Sequence, residues 1–190
     1  IDQHQLDMDA MSRVVRWFKD SFFHWAPDAC QKCGNKRLTR HSGHPTEVDI
    51  AHGAQRVEEI YCSQCQWRFR FPRYNDAVKL LETRVGRCGE YANCFGLICR
   101  SLGFDIRLVL DTTDHVWNEF YSNSERRYVH VDPCEGKVDT PLTYERGWGK
   151  KLEYVMAISP RGIVDVTRRY TDKFSECLGR RHLIDEGSLE

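Results

Sequence analysis

The chain reads GRCGEY at residues 86–91, DHVW at residues 114–117 and VHVD at residues 129–132. This stretch decides the fold, because it places Cys88 at the head of a predicted helix and His115 and Asp132 on two predicted strands that follow. This is the order of a thiol nucleophile, its general base and the residue that orients the base. The sequence therefore predicts a cysteine-dependent amide hydrolase built around these three residues.

Residues 88–102 are predicted to form the helix that carries Cys88. Apolar side chains recur at intervals of three and four and form one stripe, consisting of Tyr91, Cys94, Phe95, Ile98, Cys99 and Leu102. Gly103 then supplies a stop signal. At the helix N-terminus, unpaired amides and the positive end of the helix dipole favour the thiolate of Cys88 over the thiol. The same amides could receive an oxyanion.

Residues 115–121 and 127–132 alternate in character as two strands of a hairpin, with a turn expected at residues 122–125. This turn would pair His115 directly with Asp132. Directly opposed residues have Cβ atoms about 4.5–5.5 Å apart, so the carboxylate could accept the imidazole N–H and fix its tautomer. A slip of one residue would move the two side chains to opposite faces. The reach from Cys88 to the other imidazole nitrogen depends on the tertiary fold.

Taken singly, cysteine and histidine are more often structural than catalytic. His130 is interpreted in this way. Small buried side chains are expected at four other cysteines, namely Cys94, Cys99, Cys134 and Cys177. The catalytic interpretation of Cys88, His115 and Asp132 depends on their occurring together and in this order.

Two Cys-x-x-Cys pairs form the second informative pattern. Cys30 and Cys33 are separated from Cys62 and Cys65 by 28 residues. Four thiolates at this spacing can close a tetrahedral site, which suits zinc best. The intervening segment is polar, with an exposed loop expected at residues 41–45, and a metal would explain how it is ordered. We predict one structural Zn²⁺ ion, because no further ligand is evident.

Other interpretations of these thiols stay open. A redox Cys-x-x-Cys pair would require a βαβ context that the sequence does not indicate. Four unrelated thiols would require no metal at all. One of the histidines His41, His44 and His52 could also replace a cysteine ligand.

Composition and charge restrict the class of protein. Lys+Arg and Asp+Glu are equal at 28 each, so the net charge gives no indication of a nucleic-acid or anionic-membrane partner. Arginine and aromatic residues alternate over residues 67–74, which alone would suit stacking on bases, but in a neutral chain we interpret residues 69–75 as an extended connector. No apolar run approaches the length of a membrane span, and no signal peptide is evident in a chain that starts at Ile1 and is expected to be a fragment. Nine cysteines, an odd number, favour metal ligation and catalysis in a reducing compartment.

The chain is predicted to be an α+β protein with one core and a small metal-binding module. An N-terminal helix is expected over residues 6–25, with Pro27 ending it. Further elements are a short helix at residues 76–83 and strands at residues 104–111, 152–159 and 162–166. We divide the chain into an N-terminal helix packing on the core (1–29), a zinc-binding module (30–70), a catalytic core (71–170) and a frayed C-terminal tail (171–190).

Several separated motifs carry a family resemblance. They are WFK (17–19), FFHW (22–25), both Cys-x-x-Cys pairs, FPRYN (71–75), LLETR (80–84), GRCGE (86–90), DHVW (114–117) and VDVT (164–167). With these motifs the chain resembles the catalytic core of the cytoplasmic peptide:N-glycanase family, within the transglutaminase-like superfamily. The resemblance implies a transglutaminase-like core of the papain-like cysteine protease type, in which the catalytic helix packs on an antiparallel sheet beside a four-cysteine zinc module.

The resemblance also implies a reaction, namely hydrolysis of the amide between asparagine and the first N-acetylglucosamine of N-linked glycans on misfolded glycoproteins. By position, Cys88 is the nucleophile, His115 the general base and acid, and Asp132 its orienter, while the two cysteine pairs bind zinc. Glu135 and Trp148 match positions on the chitobiose side of the cleft, and Trp117 is a further expected substrate-binding residue. For Trp148, which lies between two glycines, the alternative is a rim tryptophan that only packs.

The implied partners are unfolded N-glycoproteins or glycopeptides with a high-mannose glycan. A proteasome-shuttle protein is a further implied partner, for which the N-terminal helix is one docking surface. We expect a monomer in the cytoplasm, with the nucleus as an additional location, and no nucleic-acid or membrane partner. A transglutaminase, a cysteine peptidase and a non-catalytic transglutaminase-like interaction module are the alternatives, and the intact Cys88, His115 and Asp132 argue against the last.

Overall fold

The structure is a computed structural model that describes residues 3–184 and 186–188. Its helices are α1 (Gln3–Trp17), α2 (Glu47–Ala51), α3 (Ala77–Thr83), α4 (Cys88–Ser101), α5 (Thr167–Tyr170) and α6 (Phe174–Leu178). Its strands are β1 (His24–Trp25), β2 (Thr39–Gly43), β3 (Val57–Tyr61), β4 (Arg68–Pro72), β5 (Val85–Gly86), β6 (Ile106–Asp111), β7 (His115–Ser122), β8 (Arg127–Asp132), β9 (Lys137–Val138), β10 (Val155–Ser159) and β11 (Gly162–Asp165). Further turns are π-helical at Phe18–Phe22 and Thr143–Gly147, and 3-10 helical at Glu186–Ser188.

The core is built on an antiparallel sheet with the strand order β11-β10-β6-β7-β8-β9. One cluster of buried side chains joins α1 and α4 to this sheet, and includes Met11, Val15, Phe18, Phe95, Phe120 and Val129. A second cluster contains Val109, Trp117, Tyr144, Leu152, Val155 and Tyr170. Because Trp117 and Phe120 project from opposite faces of β7, the sheet separates the two clusters. The predicted α+β architecture, with the catalytic helix on an antiparallel sheet, is confirmed.

Helix α4 begins at Cys88, as the sequence predicts. Its stripe of Tyr91, Cys94, Phe95 and Cys99 is buried, whereas Leu102 is exposed and lies outside the core. Gly103 has φ +90°, a left-handed conformation that glycine adopts without strain, and so the chain turns out of the helix there.

The β7–β8 hairpin differs from its predicted register by two residues. Ser122 pairs with Arg127 and Asn118 with Val131, so the turn comprises residues 123–126 instead of 122–125. Arg126 adopts φ 51° in this turn. An even shift keeps every side chain on its predicted face, and therefore His115 and Asp132 still project from the same side of the sheet.

The N-terminal helix is shorter than predicted, because α1 ends at Trp17 and β1 contains His24 and Trp25. The Phe23 N–H donates to the Phe18 carbonyl at 2.8 Å, and the His24 N–H donates to the Arg84 carbonyl at 2.8 Å. Pairing with β5 thus replaces the helical pattern over the last residues. The apolar periodicity continues through this segment because Phe18 and Phe23 both pack against Tyr91.

The metal module (residues 30–72) contains a three-stranded sheet of order β2-β3-β4 and helix α2. One cysteine pair lies before β2, and the other lies between β3 and β4. The exposed loop expected at residues 41–45 is wrong for its first half, since residues 41–43 lie in β2. The connector expected over residues 69–75 is extended as predicted over residues 69–72, but β4 pairs with β3 and so belongs to the sheet of the module. Asp49 on α2 accepts a hydrogen bond from Arg70 within the module at 2.6 Å, and another from the Tyr74 hydroxyl, just after the module, at 2.9 Å.

The C-terminal segment packs on the core, which contradicts the expected frayed tail. Cys177 on α6 is fully buried. The Arg181 guanidinium is 2% exposed, lies 2.8 Å from an Asp165 carboxylate oxygen and covers the Tyr154 ring. The predictions for residues 1, 2, 185, 189 and 190 lie outside the described residues. Within the described ranges, no helix has the length and apolar character needed to cross a membrane.

Candidate active site

Cys88 is the first residue of α4 and is partly exposed. The parallel pairing of β5 with β1 fixes the backbone just before it. Glycine is required at Gly86, because a Cβ atom there would lie 2.3 Å from the Glu90 Cβ atom. At Gly89, on the other side of the cysteine, a Cβ atom would meet nothing within 4 Å. The helix start is therefore tightly packed before Cys88 and open after it, where a substrate needs access.

Glu90 holds the first turn of α4 in place and is 5% exposed. Its carboxylate accepts a hydrogen bond from the Arg87 backbone N–H at 2.9 Å. The Arg73 guanidinium donates to both Glu90 oxygens, at 2.5 and 3.1 Å. Arg87 in turn donates to both oxygens of Glu58 on β3, at 2.7 and 2.5 Å. Ion pairs thus connect the metal module to the start of the helix that carries the nucleophile.

His115 and Asp132 are in direct contact, with 2.8 Å between Nε2 and Oδ2. Both are buried, His115 at 6% exposure and Asp132 at 0%. This contact uses Nε2 of the imidazole and leaves Nδ1 out of it. Cys88 lies close enough to His115 to raise the pKa of the imidazole. The structure therefore brings together all three residues that the sequence analysis assigns to catalysis.

The electrostatics of the pair favour an ionised state. Burial alone would lower the pKa of His115, but the hydrogen bonds and charges of Asp132 and Cys88 outweigh it and raise the pKa to about 9. Burial would likewise raise the pKa of Asp132, but the contact with His115 and donors from Cys134 and Tyr144 lower it to about 2. At neutral pH an imidazolium beside a carboxylate can stabilise a thiolate at Cys88.

Asp132 is held from two sides. Its Oδ1 accepts from the Cys134 backbone N–H at 3.0 Å, the Cys134 thiol at 3.0 Å and the Glu135 backbone N–H at 3.2 Å. Its Oδ2 accepts from His115 and from the Tyr144 hydroxyl, the latter at 2.8 Å. The sequence analysis did not identify Tyr144, because no local pattern distinguishes a core tyrosine from one whose hydroxyl meets a catalytic carboxylate.

The three expected substrate-binding residues differ in how far they are exposed to solvent. Trp148 is 43% exposed, and its ring meets the His115 ring edge-on at 4.9 Å between centroids. Glu135 follows Asp132 closely in the turn after β8 and is partly exposed. Trp117 is fully buried beneath His115, with its Nε1–H donating to the Tyr170 hydroxyl at 2.8 Å. The prediction that Trp117 contacts substrate is therefore corrected, since its indole supports the imidazole from within the core.

The four cysteines of the metal module converge. Their Sγ atoms all lie within 4.8 Å of one another, with 3.4 Å between Cys30 and Cys65 and 3.7 Å between Cys33 and Cys62. Thiolates bound tetrahedrally at about 2.3 Å from a zinc ion lie about 3.8 Å apart. In the part of the chain that the structure describes, this cluster contains no histidine. The donor set therefore fits one closed, four-coordinate metal site.

A cysteine at a helix start, an imidazole whose pKa the cysteine raises and a carboxylate in contact with the imidazole define a thiol-dependent acyl-transfer site. Comparison with known families agrees with this class. Residues 35–133, more than half of the chain, match the model of the transglutaminase-like superfamily, and residues 111–186 match the Rad4 transglutaminase-like domain. The chain belongs to the transglutaminase-like superfamily.

Individual relatives share one name, peptide-N(4)-(N-acetyl-beta-glucosaminyl)asparagine amidase. The protein of this name from Arabidopsis thaliana is 50% identical over 99% of this chain and 26% of its own length. Those from Gallus gallus and Homo sapiens are 53% and 52% identical, over 93% of this chain and 27% of their lengths. The chain thus spans about a quarter of the length of these relatives.

Among solved structures, a chain of the Rad4–Rad23 complex bound to a 6-4 photoproduct UV lesion is similar to this one. The TM-score is 0.52, with 16% identity, and the match covers 87% of this chain and 37% of that one. At this identity the likeness concerns the fold alone.

Proposed function

We propose that the chain is the catalytic core of a peptide:N-glycanase, which hydrolyses the amide bond between an asparagine side chain and the first N-acetylglucosamine of an N-linked glycan. The observation that carries this proposal is the 50% identity, over 99% of this chain, with a relative of that name. The contact of His115 with Asp132 and the influence of Cys88 on the pKa of His115 support it, because this reaction requires an activated thiol.

The first half of the proposed reaction forms a thioester. His115 takes the proton of Cys88, and the thiolate adds to the side-chain carbonyl carbon of the glycosylated asparagine. Amide N–H groups in the first turn of α4 stabilise the oxyanion, because they have no partner within the helix. His115 then returns a proton to the nitrogen of the leaving glycosylamine, and the C–N bond breaks.

The second half releases the product. His115 removes a proton from a water molecule, which adds to the thioester carbonyl, and the C–S bond breaks to give aspartate and the free thiol. Asp132 keeps the imidazole oriented through both halves. Trp148 packs against His115, and Glu135 follows Asp132 in the turn after β8 with its backbone N–H on Oδ1. Both side chains are at least partly exposed, and we assign them to contacts with the sugar.

The metal of the four-cysteine cluster is proposed to be a single structural zinc ion. Cys30, Cys33, Cys62 and Cys65 would all be ligands, so no position would remain for water or substrate. Its contribution would be folding free energy for the metal module, whose two cysteine pairs it would join.

Unfolded N-glycoproteins carrying high-mannose glycans are the proposed substrates, because the attacked carbonyl lies one carbon from the peptide backbone and the cleft must admit both peptide and sugar. A role in the disposal of misfolded glycoproteins in the cytoplasm, and also in the nucleus, accompanies this proposal. A proteasome-shuttle protein is the proposed protein partner, and we propose that the chain acts as a monomer.

Mass spectrometry of a denatured N-glycopeptide incubated with the chain tests the reaction. Glycan release should leave aspartate, which is heavier than asparagine by about one mass unit. The Cys88→Ala variant should release nothing while retaining the wild-type unfolding midpoint. A folded, metal-loaded wild-type chain that releases no glycan would refute the proposal for this chain.

The alternative activities are tested with the same preparation. A transglutaminase would join an added primary amine to the substrate acyl group, and a peptidase would cleave an unglycosylated peptide. We expect neither product. Because the Rad4 likeness concerns the fold alone, binding of damaged DNA serves only as a negative control.

A further inference from the structure

His130 and Tyr144 are buried polar residues behind the active site that the proposed reaction does not use. His130 is 1% exposed, and Tyr144 is fully buried in the turn that precedes Trp148. The His130 Nε2 atom lies 2.7 Å from the Tyr144 hydroxyl oxygen. The same hydroxyl lies 2.8 Å from Oδ2 of Asp132. These contacts form a chain of hydrogen bonds that ends on the catalytic carboxylate.

The donor and acceptor of each hydrogen bond in this series follow from the Thr140 N–H, at the end opposite Asp132. The Thr140 backbone N–H can only donate, and its partner is Nδ1 of His130 at 3.3 Å. Nδ1 is therefore an acceptor, and the ring proton lies on Nε2. Nε2–H then donates to the Tyr144 oxygen, which leaves the hydroxyl proton for Asp132. Burial lowers the pKa of His130 to about 4, so the ring stays neutral and keeps this tautomer at neutral pH.

The Tyr144 hydroxyl is positioned to orient the carboxylate of Asp132. Tyr144 donates to the same oxygen, Oδ2, that accepts from His115, whereas Cys134 and Glu135 hold only Oδ1. The Tyr144 ring also packs against the His115 ring at 5.1 Å between centroids. Without the hydroxyl, Oδ1 would remain anchored, but among the described residues only His115 would still contact Oδ2.

We propose that Tyr144 is a positioning residue for the reaction at Cys88, in which its hydroxyl, directed by His130, holds Oδ2 of Asp132 in line with His115. This inference rests on the proposed function for its kinetic test, but the state of His115 can be measured without any substrate. A tyrosine that merely filled the core would be replaceable by phenylalanine without effect on His115.

Tyr144→Phe removes the hydroxyl and keeps the ring. We expect kcat for glycan release to fall roughly ten- to a hundredfold, the effect of losing one hydrogen bond to a charged group, with KM changed less than about twofold. Tyr154→Phe is the matched control. It removes another buried hydroxyl, which accepts from the Leu183 and Ile184 N–H groups far from the reaction, and it should leave kcat unchanged.

Variants of His130 test whether this residue acts on Asp132 through the Tyr144 hydroxyl. His130→Leu should lower kcat as much as Tyr144→Phe, and the double variant should lose no more than the more impaired single variant, because His130 acts only through Tyr144. His130→Gln retains an N–H donor near the position of Nε2 and should recover a large part of the activity. Losses that multiply in the double variant would overturn the proposal.

Titration of ¹³C-labelled histidine by NMR follows the His115 pKa directly, with the signal assigned by its absence in His115→Gln. Burial favours the neutral ring, so a misaligned Asp132 should lower the His115 pKa in Tyr144→Phe. The titratable groups that face His115 are Asp132, Cys88, His130 and Tyr144. A pKa that is unchanged or raised would show that the hydroxyl does not position Asp132. If wild type releases no glycan but this shift occurs, the proposed function fails and the positioning role stands.

Discussion

Replacing Glu58 by glutamine should lower the free energy of unfolding by about 3 kcal/mol. Glu58 lies on β3 in the metal module, and its carboxylate accepts two hydrogen bonds from Arg87, at 2.7 and 2.5 Å. Arg73 and Arg40 lie further away, at 3.5 and 3.7 Å. A glutamine of the same shape removes the charge and turns an N–H₂ group toward the Arg87 guanidinium, where donor faces donor.

The magnitude follows from the partial burial of this ion pair. Hydrogen bonds to charged groups contribute about 1.5–3 kcal/mol each. The Glu58 and Arg87 side chains are 15% and 29% exposed, so solvent screens them in part and the lower value applies. Two bonds at about 1.5 kcal/mol give about 3 kcal/mol, which corresponds to a fall in Tm of roughly 6–12 °C for a chain of this size.

Urea unfolding, followed by tryptophan fluorescence and circular dichroism with the metal site loaded, measures this change. Glu59→Gln, on the same strand but with an exposed side chain, is the matched control and should change the free energy by less than about 0.5 kcal/mol. Burial raises the pKa of Glu58, but Arg87, Arg73 and Arg40 outweigh it and leave the pKa below its ordinary value of 4.5. A carboxylate with a lowered folded-state pKa contributes stability above pH 4.5 that is lost on further acidification. The difference between wild type and Glu58→Gln should therefore shrink below that pH. Equal stability of the two Gln variants at pH 7 would refute the assigned role of Glu58.

Three further outcomes are expected. The stability that Asp132 contributes is complete above pH 3.8 and is lost as the pH falls toward about 2. The stability that His115 contributes is complete below pH 6.5 and is lost as the pH rises through about 9. Thermal midpoints should therefore decline at both ends of the pH range, and the alkaline decline should be absent in His115→Gln. Removing the metal with excess chelator under reducing conditions should lower the unfolding midpoint, and Cys33→Ser should do the same. Elemental analysis should find one metal ion per untreated chain. Phe95→Ala should cost about 3–5 kcal/mol in urea unfolding, because its ring is fully buried between α1 and the sheet.

Local sequence was sufficient to predict the elements that carry the candidate site. The stripe along α4 and the glycine after it determine where the helix begins and ends. The alternation in β7 and β8 determines which side chains share a face. The register was wrong because several neighbouring residues can form a turn, and so His115 is not directly opposite Asp132. The error was an even number of residues, which leaves both side chains on the same face and in contact.

Other features depend on contacts between segments that are distant in the sequence. Helix α1 ends before its apolar pattern does, because β1 gains backbone pairing with β5, about 60 residues away in the chain. Tryptophan is a residue type that often binds substrate, but Trp117 is buried in the second core cluster. The hydroxyl of Tyr144 meets Asp132 only because the turn after β9 folds back over the sheet. The periodicity of a sequence does not predict contacts between such distant segments.

The metal module and the nucleophile are joined through a short series of contacts. Strand β3 ends at Tyr61, directly before the cysteine pair that begins with Cys62, and so a metal bound by the four cysteines would anchor one end of this strand. Glu58 lies on the same strand and holds Arg87, whose next residue is Cys88. A metal bound by the four cysteines would leave no open position for chemistry, but it would fix the strand on which the first turn of α4 depends and so influence the proposed reaction. On this basis, we expect the module to belong to the proposed catalytic unit through the ion pair of Glu58 with Arg87, although Cys88 is not part of its cysteine cluster.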